Sequence, residues 1–303
     1  MAGPVVVIGD ALIDEIRDET GVREFVGGAA LNVAVGLTRL GVPATLIAMV
    51  GDDEAGDHIR SYLDDYDVRL LASPAPLGSS RAVSTRGAGG EPMYAFNEAA
   101  RNRGVRLGAA ERAAIAEAAV VAVSCFPFDV ASQTRALAEA LTGSVVAVDP
   151  NPREGMLHDR AEFVRGFEAL AATADLVKVG DDDAALLYRQ GLDSVAEALQ
   201  AKGATAVLAT RGRDGATILA GTQSITQPIS TMPGPIVDTM GAGDASFAVT
   251  VAALADARGA VVPDWHEILA EAMDAAAATC RFEGALLRLP AVFDGEDIDR
   301  IGT

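Results

Sequence analysis

Lysine is almost absent from this chain of 303 residues: only Lys178 and Lys202 stand among 24 basic residues. No Walker-type G-x-x-x-x-G-K-[ST] run occurs, so a phosphate site here has to rely on backbone N–H groups and a metal ion. Cysteine is equally scarce. Cys125 and Cys280 lie far apart with no partner at metal spacing, which excludes a disulfide framework and fits a reducing cytoplasm. The three histidines, His58, His158 and His266, have no ligand spacing either and read as surface or packing residues. Positive charge is outnumbered, 43 acidic residues to 24 basic, for a net charge of −19. Such a chain repels polyphosphate backbones and anionic bilayers, so neither nucleic acid nor a membrane surface is an expected partner. No apolar run reaches the roughly 18–20 residues of a membrane span. The start lacks a basic stretch ahead of Val5–Ile8, so no signal peptide is expected. The expectation is a cytoplasmic protein.

Half of the residues are hydrophobic and 22% are charged, enough for a sizeable core. Short apolar runs alternate with helical patterns almost to the end. Val5–Ile8, Ala44–Met49, Val120–Ser124, Val145–Val148, Leu176–Lys178 and Ala206–Ala209 read as buried strands. Between them, Ala29–Leu40, Gly56–Asp65, Ala109–Ala118, Val130–Leu141, Arg160–Ala172 and Ser194–Lys202 carry helical spacing, with Gly41 and Gly203 at C-cap positions. Ala242–Arg258 and Asp264–Arg281 close the chain as helices. This alternation predicts a single α/β domain over residues 1–303, a doubly wound and mostly parallel sheet. Two stretches break the rhythm. Residues 11–26 and 79–97 alternate without a following helix, and Gly87, Gly89 and Gly90 supply a hairpin turn in the second. They read either as surface decoration or as a small β-sheet lid over the strand C-termini, where open α/β sheets place ligands.

Gly241-Ala242-Gly243-Asp244 follows the extended segment Pro235–Asp238 and opens an apolar helix. Small residues let N–H groups approach a ligand, and a helix N-terminus brings about half a positive charge. A carboxylate in the first turn is also ordinary capping. The conjunction sets this run apart: an anion cradle has a base beside it. A hydroxyl between Asp244 and a bound γ-phosphate would lose its proton as it attacks. Gly27-Gly28-Ala29-Ala30-Leu31-Asn32 also joins an extended segment to a helix. Its glycines permit close approach, and the Asn32 amide offers a donor and an acceptor to a sugar hydroxyl; a plain glycine turn is the simpler reading. Asp10 and Asp14 flank the end of the first strand, where a carboxylate accepts from vicinal hydroxyls or merely makes a turn.

Gly27–Ala34, with Gly41 and Gly51 following, resembles the first signature of the ribokinase-like (PfkB) carbohydrate kinases, and Asp238–Asp244 resembles the second. Val249 and Thr250 depart from the second pattern, but beyond its catalytic turn. The resemblance implies a ribokinase-like fold, ATP as phosphoryl donor and Asp244 as general base, with Gly241, Ala242 and Gly243 as the anion hole. It implies sugar contacts at Asp14, Gly27, Gly28 and Asn32, with Asp10 less regular among relatives. Thr210-Arg211-Gly212 resembles a nucleotide-binding turn, Val237 would border the nucleotide, and Asp238 would ligate a monovalent cation such as K⁺. Lys178–Asp183 resembles a region holding Mg²⁺ through water, with Asp183 as its acid and Gly180 standing where another residue is expected. Three adjacent carboxylates also read as a solvated helix start. Asp149-Pro150-Asn151-Pro152-Arg153 resembles a run in fructokinase-like and ketodeoxygluconate-kinase-like members, where Arg153 would meet a phosphate or carboxylate. Fructokinase leads, followed by 2-keto-3-deoxygluconate kinase, ribokinase and nucleoside kinase. A silent sugar-binding regulator on the same scaffold is the other class. Val83, Met93, Tyr94 and Phe96 predict an apolar lid face and a homodimer through it.

Overall fold

The computed structural model describes residues 2–18, 21–85, 93–257 and 264–294. The first part of the chain runs β1 (Val5–Gly9), β2 (Leu12–Asp18), β3 (Gly21–Gly27), α1 (Ala29–Arg39), β4 (Ala44–Met49), α2 (Glu54–Asp65), β5 (Arg69–Ser73), β6 (Ser80–Thr85), β7 (Met93–Phe96) and α3 (Glu98–Arg101). Strands and helices then alternate: α4 (Ala109–Glu117), β8 (Val120–Ser124), α5 (Ala131–Ala140), β9 (Val146–Asp149), α6 (Arg160–Ala171), β10 (Leu176–Gly180), the single turn α7 (Asp181–Asp183), α8 (Leu192–Ala201) and β11 (Ala206–Thr210). A hairpin of β12 (Ala216–Ala220) and β13 (Gln223–Gln227) leads to α9 (Ala242–Asp256) and α10 (Trp265–Thr279).

Among the described residues nine strands form the main sheet, in the order β13-β12-β11-β10-β9-β8-β1-β4-β5. All pairings are parallel except the two made by β12. Strand residues point alternately to opposite faces, and β1 shows what that sorts. Val5 and Val7 join the core under α1, α2, α9 and α10, whereas Val6 and Ile8 join the core under α4, α5, α6 and α8. A strand buried on both sides has to be apolar throughout, which is why these runs were readable.

β2, β3, β6 and β7 form the separate lid sheet, order β3-β2-β6-β7, from the two stretches that broke the rhythm. The turn at Gly87, Gly89 and Gly90 lies outside the described residues. Three details correct the sequence reading. β5, β12 and β13 went unread, because Arg69–Ser73 opens on a charge and Gln223–Gln227 is a half-exposed edge strand. Pro235–Asp238 is irregular backbone, held to the end of α10 by the Val237 N–H donating to Cys280 O at 2.9 Å. The Asp181–Asp183 turn runs on into a π-helical turn, Ala184–Tyr188. Phe96 packs against Ala29, Ala100, Cys125 and Met156, so the main domain covers this part of the lid's apolar surface.

Candidate active site

The carboxyl ends of β1, β8, β9, β10 and β11 and the N-terminus of α9 meet along one edge of the main sheet. α1 enters this edge through Gly28 at φ 108°, where a side chain would collide with the Asp10 and Ala11 backbone at about 3.0 Å. Asp10 is buried and spent locally: Oδ1 accepts the Ala30 N–H at 3.0 Å, and the Cys125 thiol also donates to it. Burial raises its pKa, and the Asp244 charge adds to that. Asp14 projects from the lid strand β2 against Gly27, where any β-carbon would meet its carboxylate. It has no hydrogen-bond partner among the described residues. Burial, then the charges of Asp10, Asp244 and Asp238, push it up to about 7, although Arg153 opposes them.

Asp244 lies in the first turn of α9 and is buried. Gly241 starts that helix at φ 76°, tight against Ala285. Asn32 Nδ2, from the first turn of α1, donates to Asp244 Oδ2 at 2.8 Å, and Asn151 Nδ2 lies 3.5 Å from Oδ1. The two glycine-rich runs thus converge on one carboxylate. Burial raises the Asp244 pKa, with Asn32, Lys178 and Arg153 pulling the other way. The Arg153 side chain is solvent-accessible within the cleft and its guanidinium has no hydrogen-bond partner among the described residues, yet it lies within the field of Asp10, Asp14 and Asp244.

On the far side of α9 the β10 and β11 ends pair Gly180 with Thr210. Asp183 Oδ2 accepts the Gly180 N–H at 2.7 Å, and a β-carbon on Gly180 would stand 3.1 Å from Thr210 Oγ1, so the small residue fits the close approach of the two strand ends. Gly212 adopts φ 49° in the turn after Thr210. Ile236 and Val237 are 62% and 56% exposed, an apolar shelf open to solvent. Asp238 Oδ1 accepts from Met240 N at 3.0 Å and Oδ2 from Gly284 N at 3.3 Å. Among the described residues no group of three or more His, Cys, Asp or Glu side chains is placed to hold a metal ion. No described helix is long and apolar enough to cross a membrane.

Two basic residues at this edge carried no expectation. Arg103 is buried and donates to Cys125 O at 3.1 Å and Met156 O at 3.3 Å, bracing the β8 end beside Asp10. Lys178 is buried and donates to Asp149 Oδ2 at 3.0 Å. Lys178 stands alone in the apolar run Leu176–Val179, which was the available signal; Arg103, with Arg101 and Arg106 close by in sequence, offered none.

The sequence matches the pfkB family carbohydrate kinases over residues 3–291. It is 30% identical over 309 aligned positions to a fructokinase of Klebsiella pneumoniae, covering 96% of this chain and 97% of that protein. Among solved structures it resembles aminoimidazole riboside kinase from Salmonella enterica, crystallised with its riboside and an ATP analogue, at TM-score 0.76 and 24% identity over 96% of this chain and 99% of the other. A Vibrio cholerae O395 fructokinase in its fructose-, ADP- and calcium-bound form gives TM-score 0.73 and 24% identity, with coverages of 94% and 95%.

Proposed function

We propose, from the premise that the chain belongs to the pfkB family of carbohydrate kinases and is therefore an ATP-dependent sugar kinase, that its cleft phosphorylates a hydroxymethyl group of fructose. The observation that carries the assignment of the cleft is the 2.8 Å bond from Asn32 to Asp244. It puts a hydroxyl-binding amide and a buried base at one point, directly ahead of a helix N-terminus.

In this reading the sugar lies between Asp14, Gly27, Gly28 and Asn32, with Asp10 shaping the floor. The substrate oxygen bonds to the γ-phosphorus as the bond to the β-phosphate oxygen breaks; the hydroxyl proton passes to Asp244, and ADP leaves with the electron pair. The Gly241, Ala242 and Gly243 amides face the growing negative charge. Thr210, Gly212 and Val237 border the nucleotide. Asp183, with one oxygen committed to Gly180, suits a water-held Mg²⁺ that arrives on the nucleotide better than a caged one. That ion neutralises phosphate charge. Asp238 is the candidate ligand for K⁺, since its two amide bonds fix the carboxylate and leave lone pairs unspent.

Arg153 favours a second reading. A guanidinium without a partner in a sugar cleft suits a carboxylate-bearing substrate, of which 2-keto-3-deoxygluconate is the first candidate. ADP release with fructose, 2-keto-3-deoxygluconate, ribose and a nucleoside, each with and without Mg²⁺ and K⁺, separates these. Fructose should give the highest Mg²⁺-dependent rate. Faster release with the keto acid would move the assignment to it, and silence with every sugar would leave a binding protein. A homodimer through the lid is part of the same proposal. β3 is a sheet edge with Val22 61% exposed, and exposed edges invite pairing. Sedimentation should give about twice 31.1 kDa, and Val22→Asp should shift it to the monomer; a parent monomer at micromolar concentration would refute the dimer.

A further inference from the structure

Lys178 is the middle residue of β10 (Leu176–Gly180), and its surroundings are peculiar for an ammonium. It is 6% exposed, and among the described residues its single hydrogen bond goes to Asp149 Oδ2 at 3.0 Å. An ammonium has three N–H donors, and a buried one needs acceptors for them. The remaining donors have an open direction. A β-carbon built on Gly243 would stand 3.3 Å from Nζ and 3.6 Å from Cε, so the ammonium approaches the first turn of α9 where a side chain would otherwise sit. Asp149 is fully buried, and its Oδ1 has no hydrogen-bond partner among the described residues. The pair is therefore under-satisfied as it stands, which is poor design for a purely structural ion pair.

Charge points the same way. Burial alone would strip the proton from Lys178, but Asp149, Asp183 and Asp244 surround it and hold it charged. A triphosphate entering a chain of net charge −19 and three nearby carboxylates needs a fixed cation. Gly243 is then glycine for a chemical reason, since it lets the ammonium reach the cradle.

We infer that Lys178 is a further catalytic residue, whose ammonium, aimed by Asp149 past Gly243, binds the transferring γ-phosphoryl group at the N-terminus of α9. The inference rests on the kinase reading of this cleft. Asp149 is a positioning residue within it.

The test uses Lys178→Met and the doubly apolar variant K178M/D149L, which removes both buried charges and leaves no orphaned carboxylate. Titration calorimetry would measure a non-hydrolysable ATP analogue, ADP and sugar separately, beside kcat. Lys178→Met should lose about 10–100-fold in analogue affinity and about 10²–10³-fold in kcat, with ADP and sugar affinities within about twofold. K178M/D149L should fold like the parent and recover neither loss; it carries the test if the single variant misfolds. A double variant with the parent's kcat and analogue affinity would overturn the inference, because the pair would then serve packing alone. Equal losses for ADP and analogue would also overturn it by moving the ammonium away from the γ-position. Should the parent release no ADP with any sugar, the kinase reading fails, while the contrast between analogue and ADP still decides where the ammonium points.

Discussion

Asp244 is a poor acid by its surroundings and so a better base than an exposed aspartate, since burial raises its affinity for a proton. Asp244→Asn keeps the shape and an acceptor for Asn32 but cannot take the proton. It should lower kcat about 10²–10⁴-fold while calorimetry finds the sugar bound as in the parent; an unchanged kcat would remove Asp244 from the chemistry. Asp14 titrates where enzymes are assayed. With its carboxyl at about 7, sugar affinity should weaken as pH falls from 8 to 6, since the protonated group accepts fewer hydroxyls. Nucleotide affinity has no such reason to follow, and Asp14→Asn should be weak and flat with pH. A parent whose sugar affinity ignores pH would put Asp14 outside the sugar site. Asp244, Asn32 and Gly241 were legible as candidates because glycine-rich turns are local, and Asp14 because it is a carboxylate just past the first apolar strand. Lys178 and Arg103 were not, because their meaning lies in what β9, β10, β8 and the loop around Met156 bring beside them.

At the scale of elements, the lid hangs on small joints. Asp53 caps α2 by accepting from Gly56 N at 2.8 Å, and the same carboxylate accepts from Ser79 N at 2.7 Å and Ser79 Oγ at 2.6 Å, just ahead of β6. Slight burial works against these bonds, yet Ser79 and Gly56 hold the Asp53 carboxyl below the usual range. Asp53→Ala should cost about 1–2 kcal/mol in denaturant unfolding at pH 7. A group with a depressed folded pKa stabilises only above its unfolded value, so this difference should fade as pH falls below about 4. Equal stability of variant and parent at pH 7 would mean the joint carries no load. Asp53 drew no attention in sequence, where Gly51-Asp52-Asp53-Glu54 is simply an acidic helix start. Buried strands announced themselves by being apolar throughout; β13, with one side in water and a glutamine at each end, did not.

For the whole molecule, three of the site's carboxylates share a thermodynamic sign. Asp10, Asp14 and Asp244 are all raised by burial, so the folded chain holds more protons than the unfolded one between about pH 4 and 7. Stability is then lost as pH rises through the folded values. Unfolding at fixed protein concentration should show greater stability at pH 6 than at pH 8. Asp14→Asn should regain about 1 kcal/mol at pH 8, a figure kept small because the group is partly solvated. Lower stability of the parent at pH 6 would reverse the sign and refute the account. Composition made the acidic excess plain. It could not say that part of the excess is gathered at one edge, because the strand order that gathers it is a property of the closed sheet.

The bond between Asn32 and Asp244 spans 212 positions of sequence, and this separation has a consequence for how the protein is made. During synthesis the Asn32 amide leaves the ribosome long before the carboxylate it holds. If Asp244 is the base proposed above, a chain stopped anywhere short of residue 244 carries Asn32 with no group to take the proton. Truncated products and stalled nascent chains should then be unable to spend ATP through this cleft, and activity should switch on only when the last fifth of the polypeptide has been laid down and folded back onto the first.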